Sequence, residues 1–336
     1  MEEKDLFSTL LLLIGKGEFI LIETEIVGKI VNNVSKIILG KEKEIYDILK
    51  AIIAKGHILI EDVPGIGKTT LVKGLAKSLQ LQYKRIQFTP DLLPSDILGI
   101  SIYNDKEKDF EFKKGPIFSN IILADEINRT SPKTQSALLE VMEEMQVTEG
   151  NITYTLQEPF IVIATQNPIE FEGTFILPEA QLDRFIIKIN LGYPDRENEM
   201  RMLKVYSQGD PLAVLESVVD REDILVLQKK MKEIKVANLI IEYIVKIIEA
   251  TRKNPYIELG ASPRASLALI KISQATALIK GRYYVIPEDV KENIIQVLAH
   301  RIRLSSKGRL GGLTEKEVLN LIINEIPLPE IKGDFS

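Results

Sequence analysis

Apolar residues at Ile26, Ile30, Val34, Ile37 and Ile38, and again at Ile45, Ile48, Leu49, Ile52 and Ile53, recur at helical spacing and predict two helices. Beyond them the rhythm changes. Short apolar runs, "HILIE" (57–61), "YKRIQF" (83–88), "NIILADE" (120–126), "FIVIATQN" (160–167) and "FIIKINL" (185–191), read as strands, with helical patterns between several of them. That alternation predicts an α/β fold with a parallel five-stranded sheet and helices on both faces. Ser131-Pro132 reads as the start of a helix whose apolar face carries Ala137, Leu138, Val141, Met142 and Met145. Residues 101–113 and 146–157 alternate with period two around polar turns and predict hairpins. "GYPDREN" (192–198) reads as a hinge with Asp195 as an N-cap, and after it every pattern is helical. The expected organisation is an extension over 1–25, an α/β core over 26–193, and an all-α domain with a C-terminal tail over 194–336.

Composition narrows the chemistry. The chain has 336 residues, 45% hydrophobic and 27% charged, enough for sizeable cores in one large or two medium domains. A formal net charge of −5 argues against a wholesale nucleic-acid coat. The absence of cysteine excludes disulfides, zinc-thiolate sites and thiol catalysis. His57 and His300 are the sole histidines, and His57, opening a buried strand, is expected to be structural. The apolar run "LFSTLLLLIGKGEFILI" (6–22) is interrupted by Lys16 and Glu18, and Glu2, Glu3 and Asp5 precede it. Those charges fit neither a membrane span nor a signal peptide. The segment is expected to pack on the protein or on a partner, and the chain to be cytoplasmic.

The candidate chemistry begins at "HILIEDVPGIGKTTL", a strand, a glycine loop and a helix. Backbone N–H groups between Val63 and Thr70 can wrap phosphates only if side chains leave room, which Gly65 and Gly67 provide beside Pro64 and Ile66. Lys68 adds a point charge, and the Thr69 hydroxyl can take one position around Mg²⁺. The usual phosphate-loop pattern has a glycine where Asp62 stands. A second element supports the first: the apolar run 121–124 leads into Asp125, fit to hold Mg²⁺, and Glu126, fit to polarise an attacking water. Asn167 ends the next strand, where a neutral amide can orient water, although an Asn-Pro turn explains it equally well on local grounds. Arg184, before the last strand, and Arg264, at the start of a helix in "ASPRAS", can stabilise charge on a transferring phosphoryl group.

In order along the chain, "LIEDVPGIGKTTL", "FTPDLLPSDILG", "ADEINRTSPKTQSALLEVMEE", "VIATQNPIEFEGTFILPEAQLDRF", "GYPDREN" and "SPRAS" resemble the MoxR family of AAA+ ATPases, within the helix-2-insert clade. The resemblance runs from about Ile26 to Pro329 and leaves 1–25 unaccounted for. It implies an AAA+ core followed by a helical lid, ATP and Mg²⁺ as ligands, and a non-glycine tolerated at Asp62. It further implies that Lys68 and Thr69 match Walker A, Asp125 and Glu126 Walker B, Asn167 sensor 1, and Arg264 sensor 2. Arg264 is then expected to reach its own chain's nucleotide when the hinge closes. Arg184 matches the arginine finger, with Arg129 a second candidate for a neighbour's nucleotide. The resemblance implies a homo-oligomeric, hexameric ring that remodels protein complexes beside a partner with a von Willebrand factor A (VWA) domain. A nucleic-acid motor is the alternative. It is poorly supported, because the first hairpin sets Lys106, Lys108, Lys113 and Lys114 beside Asp105, Glu107, Asp109 and Glu111, and the second has no cation at its tip. Glu126 and the arginines speak against a third reading, a scaffold that binds ATP without turning it over.

Overall fold

The computed structural model describes residues 23–168 and 174–329. The apolar run over 6–22 lies outside the described residues. Helix α1 covers 23–34, a turn follows, and α2 is Glu42–Ile53. The periodicity extends the first helix to Ile38, but the chain leaves helical geometry after residue 34. Gly40 holds φ +70°, a conformation an L side chain rarely adopts, and so sets the path into α2.

The sheet is built from β1 (His57–Glu61), β2 (Tyr83–Gln87), β5 (Ile121–Asp125), β8 (Ile161–Gln166) and β9 (Phe185–Ile189), in the order β2-β5-β8-β1-β9 and parallel throughout. Both faces are covered, as an all-parallel sheet requires. Alternation assigns Ile58, Ile60, Ile121, Leu123, Ile161 and Ile163 to one apolar cluster. It assigns Leu59, Ile122, Ala124, Val162 and Ala164 to the other. Helix α3 (Lys68–Ser78) joins β1 to β2, and α4 (Pro94–Leu98) leads into the hairpin of β3 (Gly99–Asn104) and β4 (Asp109–Lys114). Helix α5 (Pro132–Glu144) begins with Ser131 accepting from the Thr134 N–H and with Pro132 in the first turn, as the pattern predicts. A second hairpin, β6 (Gln146–Glu149) and β7 (Ile152–Thr155), precedes β8.

Short helix α6 (Glu179–Leu182) leads into β9. After β9 come α7 (Arg196–Tyr206), capped by Asp195, then α8 (Arg221–Met231) and α9 (Asn238–Lys253). Strand β10 (Ile257–Leu259) pairs antiparallel with β11 (Arg303–Leu304), on either side of α10 (Pro263–Ile279) and α11 (Pro287–Leu298). This small pair is a departure from the purely helical reading. Helices α12 (Ser306–Leu310) and α13 (Glu315–Glu325) follow. Helices α8 and α10 pack on α2, and α11 packs on β9, so the first apolar cluster runs without a break from one sheet face into this helical layer. Among the described residues no helix is long and apolar enough to cross a membrane.

His57 has the structural role expected of it. Its Nδ1 accepts from the Val162 N–H at 3.0 Å, which leaves Nε2 to donate to the Met142 carbonyl at 3.0 Å. Burial pushes its pKa down to about 4, so the ring is neutral at physiological pH.

Candidate nucleotide site

The strand order decides the site. Because β8 lies between β5 and β1, the carboxyl ends of these three strands stand side by side, about 4.8 Å apart from one to the next. One cavity of about 250 Å³ forms there, lined by Pro64, Gly65, Gly67, Lys68, Thr69, Arg85, Asp125, Glu126 and Asn167 among others. Gly65 and Gly67 hold φ +87° and +91°, conformations an L side chain rarely adopts, and the loop there opens to space. Gly67 leads into α3, and no side chain caps that helix start, so its first N–H groups and its dipole are available to an anion. Lys68 Nζ lies folded on the loop, donating to the carbonyls of Asp62 at 2.7 Å and Val63 at 3.1 Å. Burial lowers the Lys68 pKa, with Asp62, Asp125 and Glu126 opposing that shift.

Asp62 has a job that a glycine could not do. Its Oδ2 accepts from the N–H of Leu191 at 2.5 Å and of Gly192 at 2.8 Å, which ties the phosphate loop to the chain leaving β9. Lys41 Nζ donates to the carbonyls of Leu191 and Tyr193 in the same segment. The region read as a hinge is therefore pinned to the core by two charged side chains.

Around the acidic pair the structure adds residues that the sequence did not single out. The Thr165 hydroxyl accepts from the Glu126 N–H at 2.9 Å and donates to Asp125 Oδ1 at 2.6 Å. Arg85 donates twice to Asp125 Oδ2, and the Gln87 amide donates to Glu126 Oε2 at 2.7 Å. Arg85 and Gln87 are two apart on β2 and so face the same side of the sheet. That polar alternation in "YKRIQF" was the available signal. Glu126 itself has φ +60°, a left-handed conformation uncommon for glutamate and typical of functional turns. Hard oxygen donors from Thr69 and Asp125 around one cavity fit Mg²⁺, and the glycine cradle fits phosphates.

Next to this cavity, and sharing Gly65 and Gly67 with it, lies a second one lined by Ile38, Ile66, Thr70, Tyr193, Met202 and Tyr206 among others. Its apolar and aromatic walls suit a flat heterocyclic base. These residues come from the α1–α2 turn, from the phosphate loop and the start of α3, and from α7 and the chain just before it, far apart in the sequence, so no local pattern could reveal them together.

Arg184 and Arg264 do not line the phosphate cavity. Arg184 precedes β9, and β9 rises roughly 13 Å at about 3.3 Å per residue toward the phosphate-loop end of the sheet. Arg184 Nε pairs with Glu143 Oε2 at 3.0 Å, and Arg264 Nη2 pairs with the other oxygen of the same carboxylate. Arg264 is the second residue of α10, where the sequence reading put it, but α10 delivers it to the opposite end of the sheet from its own glycine loop. Arg129 instead pairs with Glu126 at 3.3 Å, at the rim of its own chain's cavity.

Comparison with known proteins agrees with this geometry. Residues 57–187 match the model of the ATPase family associated with various cellular activities (AAA), and 249–321 match the AAA lid domain. The chain is 48% identical to the YeaC protein of Bacillus subtilis, over 90% of this chain and 95% of that one. It is 40% identical to Chaperone MoxR1 of Mycobacterium tuberculosis, over 95% and 86%. A crystal structure of a protein from Cytophaga hutchinsonii superposes with a TM-score of 0.87 at 40% identity, covering 96% of this chain and 99% of that one.

Proposed function

Because the chain belongs to the MoxR family of AAA+ ATPases, we propose that it hydrolyses ATP to ADP and phosphate with Mg²⁺, and that a ring of its subunits uses this cycle to remodel protein complexes. The observation that carries the ATPase reading is the convergence of Lys68, Thr69, Asp125, Glu126 and Asn167 on one cavity. The backbone from Val63 to Thr70 receives the phosphates, and Lys68 turns from its loop carbonyls to them. Thr69 and Asp125 would hold the metal, which when bound would neutralise phosphate oxygens. Glu126 takes a proton from water as the water oxygen bonds to the γ-phosphorus and the bond to ADP breaks. Asn167 orients that water, and the cavity beside Tyr193 and Tyr206 takes the base.

Arg184 and Arg264 complete the site of a neighbouring subunit. Their support is the distance between their shared Glu143 cluster and their own chain's glycine loop. The placement of Arg129 beside Glu126 of its own chain favours Arg184 over it as the finger. A hexameric ring brings the arginine end of each subunit to the next subunit's ATP. The remodelling role draws on the chaperone name of one relative and on the β3–β4 hairpin, which exposes Ile100, Tyr103 and Phe110. A VWA-domain protein is the proposed partner, and the cytoplasm the proposed site of action.

The test is Glu126→Gln, which removes the base and leaves the phosphate cradle. ATP binding should persist while turnover falls by at least about 100-fold, the scale of a general base. Parental turnover would remove Glu126 from the role. Capture from native lysate with ATP-loaded Glu126→Gln should recover a VWA-domain protein. Enrichment of nucleic acid would favour a nucleic-acid motor instead.

A further inference from the structure

Asp125 already has a cation. Arg85 Nε and Nη2 donate to its Oδ2 at 3.0 and 2.6 Å, while Thr165 occupies Oδ1 at 2.6 Å. The carboxylate is only 12% exposed, so leaving it without a positive partner would be costly. Arg85 lines the phosphate cavity together with Lys68 and Thr69. Its side chain is 46% exposed and stands on β2, at the edge of the sheet, so it has room to turn.

We propose that Arg85 is a built-in counter-cation of this site, which holds Asp125 while no divalent ion is bound, offering its remaining N–H to the nucleotide's phosphates, and turns to those phosphates altogether when the ion takes Asp125. The inference rests on reading the cavity as a Mg²⁺-nucleotide site. A doubly charged, oxygen-seeking ion competes with a guanidinium for the same carboxylate oxygen. Arg85 and the metal therefore oppose each other at Asp125, and each weakens the other's hold on it by linkage. At the phosphates the two cations do similar work. Without metal, Arg85 and Lys68 are the cations of the chain's own cavity lining, among the described residues, that can neutralise the polyphosphate. With metal, a variant's loss of the Arg85 phosphate contact is offset by an Asp125 freed of its competitor.

The test compares affinities for a fluorescent ADP analogue in excess Mg²⁺ and in EDTA. The proteins are the parent chain, Arg85→Ala and Arg85→Gln, the last keeping a neutral donor where removal of the whole side chain impairs folding. Either variant should lose about tenfold or more of its affinity in EDTA and less than about threefold in Mg²⁺, a divergence on the scale of one charge-assisted contact. Equal losses in both media would make Arg85 a structural support and overturn the inference, as would no loss in EDTA. If the parent chain bound the analogue in neither medium, the ATPase reading itself would fall, and this inference with it.

Discussion

Asp62 stands where a glycine is usual in a phosphate loop, and its carboxylate accepts the N–H groups of Leu191 and Gly192. Hydrogen bonds to a charged acceptor are worth about 1.5–3 kcal/mol each. Asp62→Gly would bring the loop closer to the general motif, yet it should destabilise the chain by about 2 kcal/mol, part of the loss being offset by water reaching the freed N–H groups. Nucleotide affinity should fall as well, because Tyr193 and α7, which wall the base cavity, hang from the same segment. Chemical denaturation together with nucleotide titration checks this. A variant as stable as its parent would show that the Asp62 bonds add nothing.

Among the elements, the junction of α10 and α11 with β9 has the most to hold. Arg301, buried after α11, donates to Asp183 Oδ1 at 2.7 Å and to the Phe185 carbonyl at 2.6 Å. Asp183 Oδ2 also accepts from Ser262, the N-cap of α10, at 2.8 Å. One carboxylate thus fixes both the strand that follows Arg184 and the helix whose first turn carries Arg264. Asp183→Asn leaves the Arg301 charge buried and unpaired, and breaking such a pair costs about 3–5 kcal/mol. The variant should unfold at correspondingly lower denaturant, and adding Arg301→Met should recover part of the loss, since a buried pair replaced whole is tolerated better than one broken. Full additivity of the two losses would argue that the residues do not act as a pair.

For the whole molecule, the separation of the two arginines from their own glycine loop sets a complementation rule. In the proposed ring, each site would need Lys68 from one subunit and both Arg184 and Arg264 from its neighbour. Lys68→Ala, Arg184→Ala and Arg264→Ala should each be nearly inactive alone, as a trans arginine is worth roughly 10³–10⁵ in rate. Mixed rings of Lys68→Ala with either arginine variant should recover activity. Mixed rings of the two arginine variants should not, because no neighbour then carries both. Steady-state ATPase on exchange-equilibrated mixtures reads this out. Failure of the Lys68→Ala and Arg264→Ala pair to complement would return Arg264 to its own chain's nucleotide. A fully active monomer would remove the ring altogether.

What the sequence determined by itself is local. Strand-loop-helix order around "GIGKTT", the acidic pair after an apolar strand, the two hairpins and the caps at Ser131 and Asp195 depend on spacing within a few residues, and spacing is printed in the chain. The parallel five-stranded sheet was legible for the same reason, since short apolar runs alternate with helical patterns. The tertiary structure decided what lies next to what. Only the strand order sets Arg85 and Gln87 of β2 against Asp125 and Glu126 of β5. Only the packing of α7 against the α1–α2 turn builds the base cavity. Arg264 makes the point most clearly: its place at a helix start was readable, but its reach was not. Which end of the sheet that helix delivers it to depends on how α8 and α10 bury their apolar faces on α2, and burial is a sum over the whole core that no short window contains.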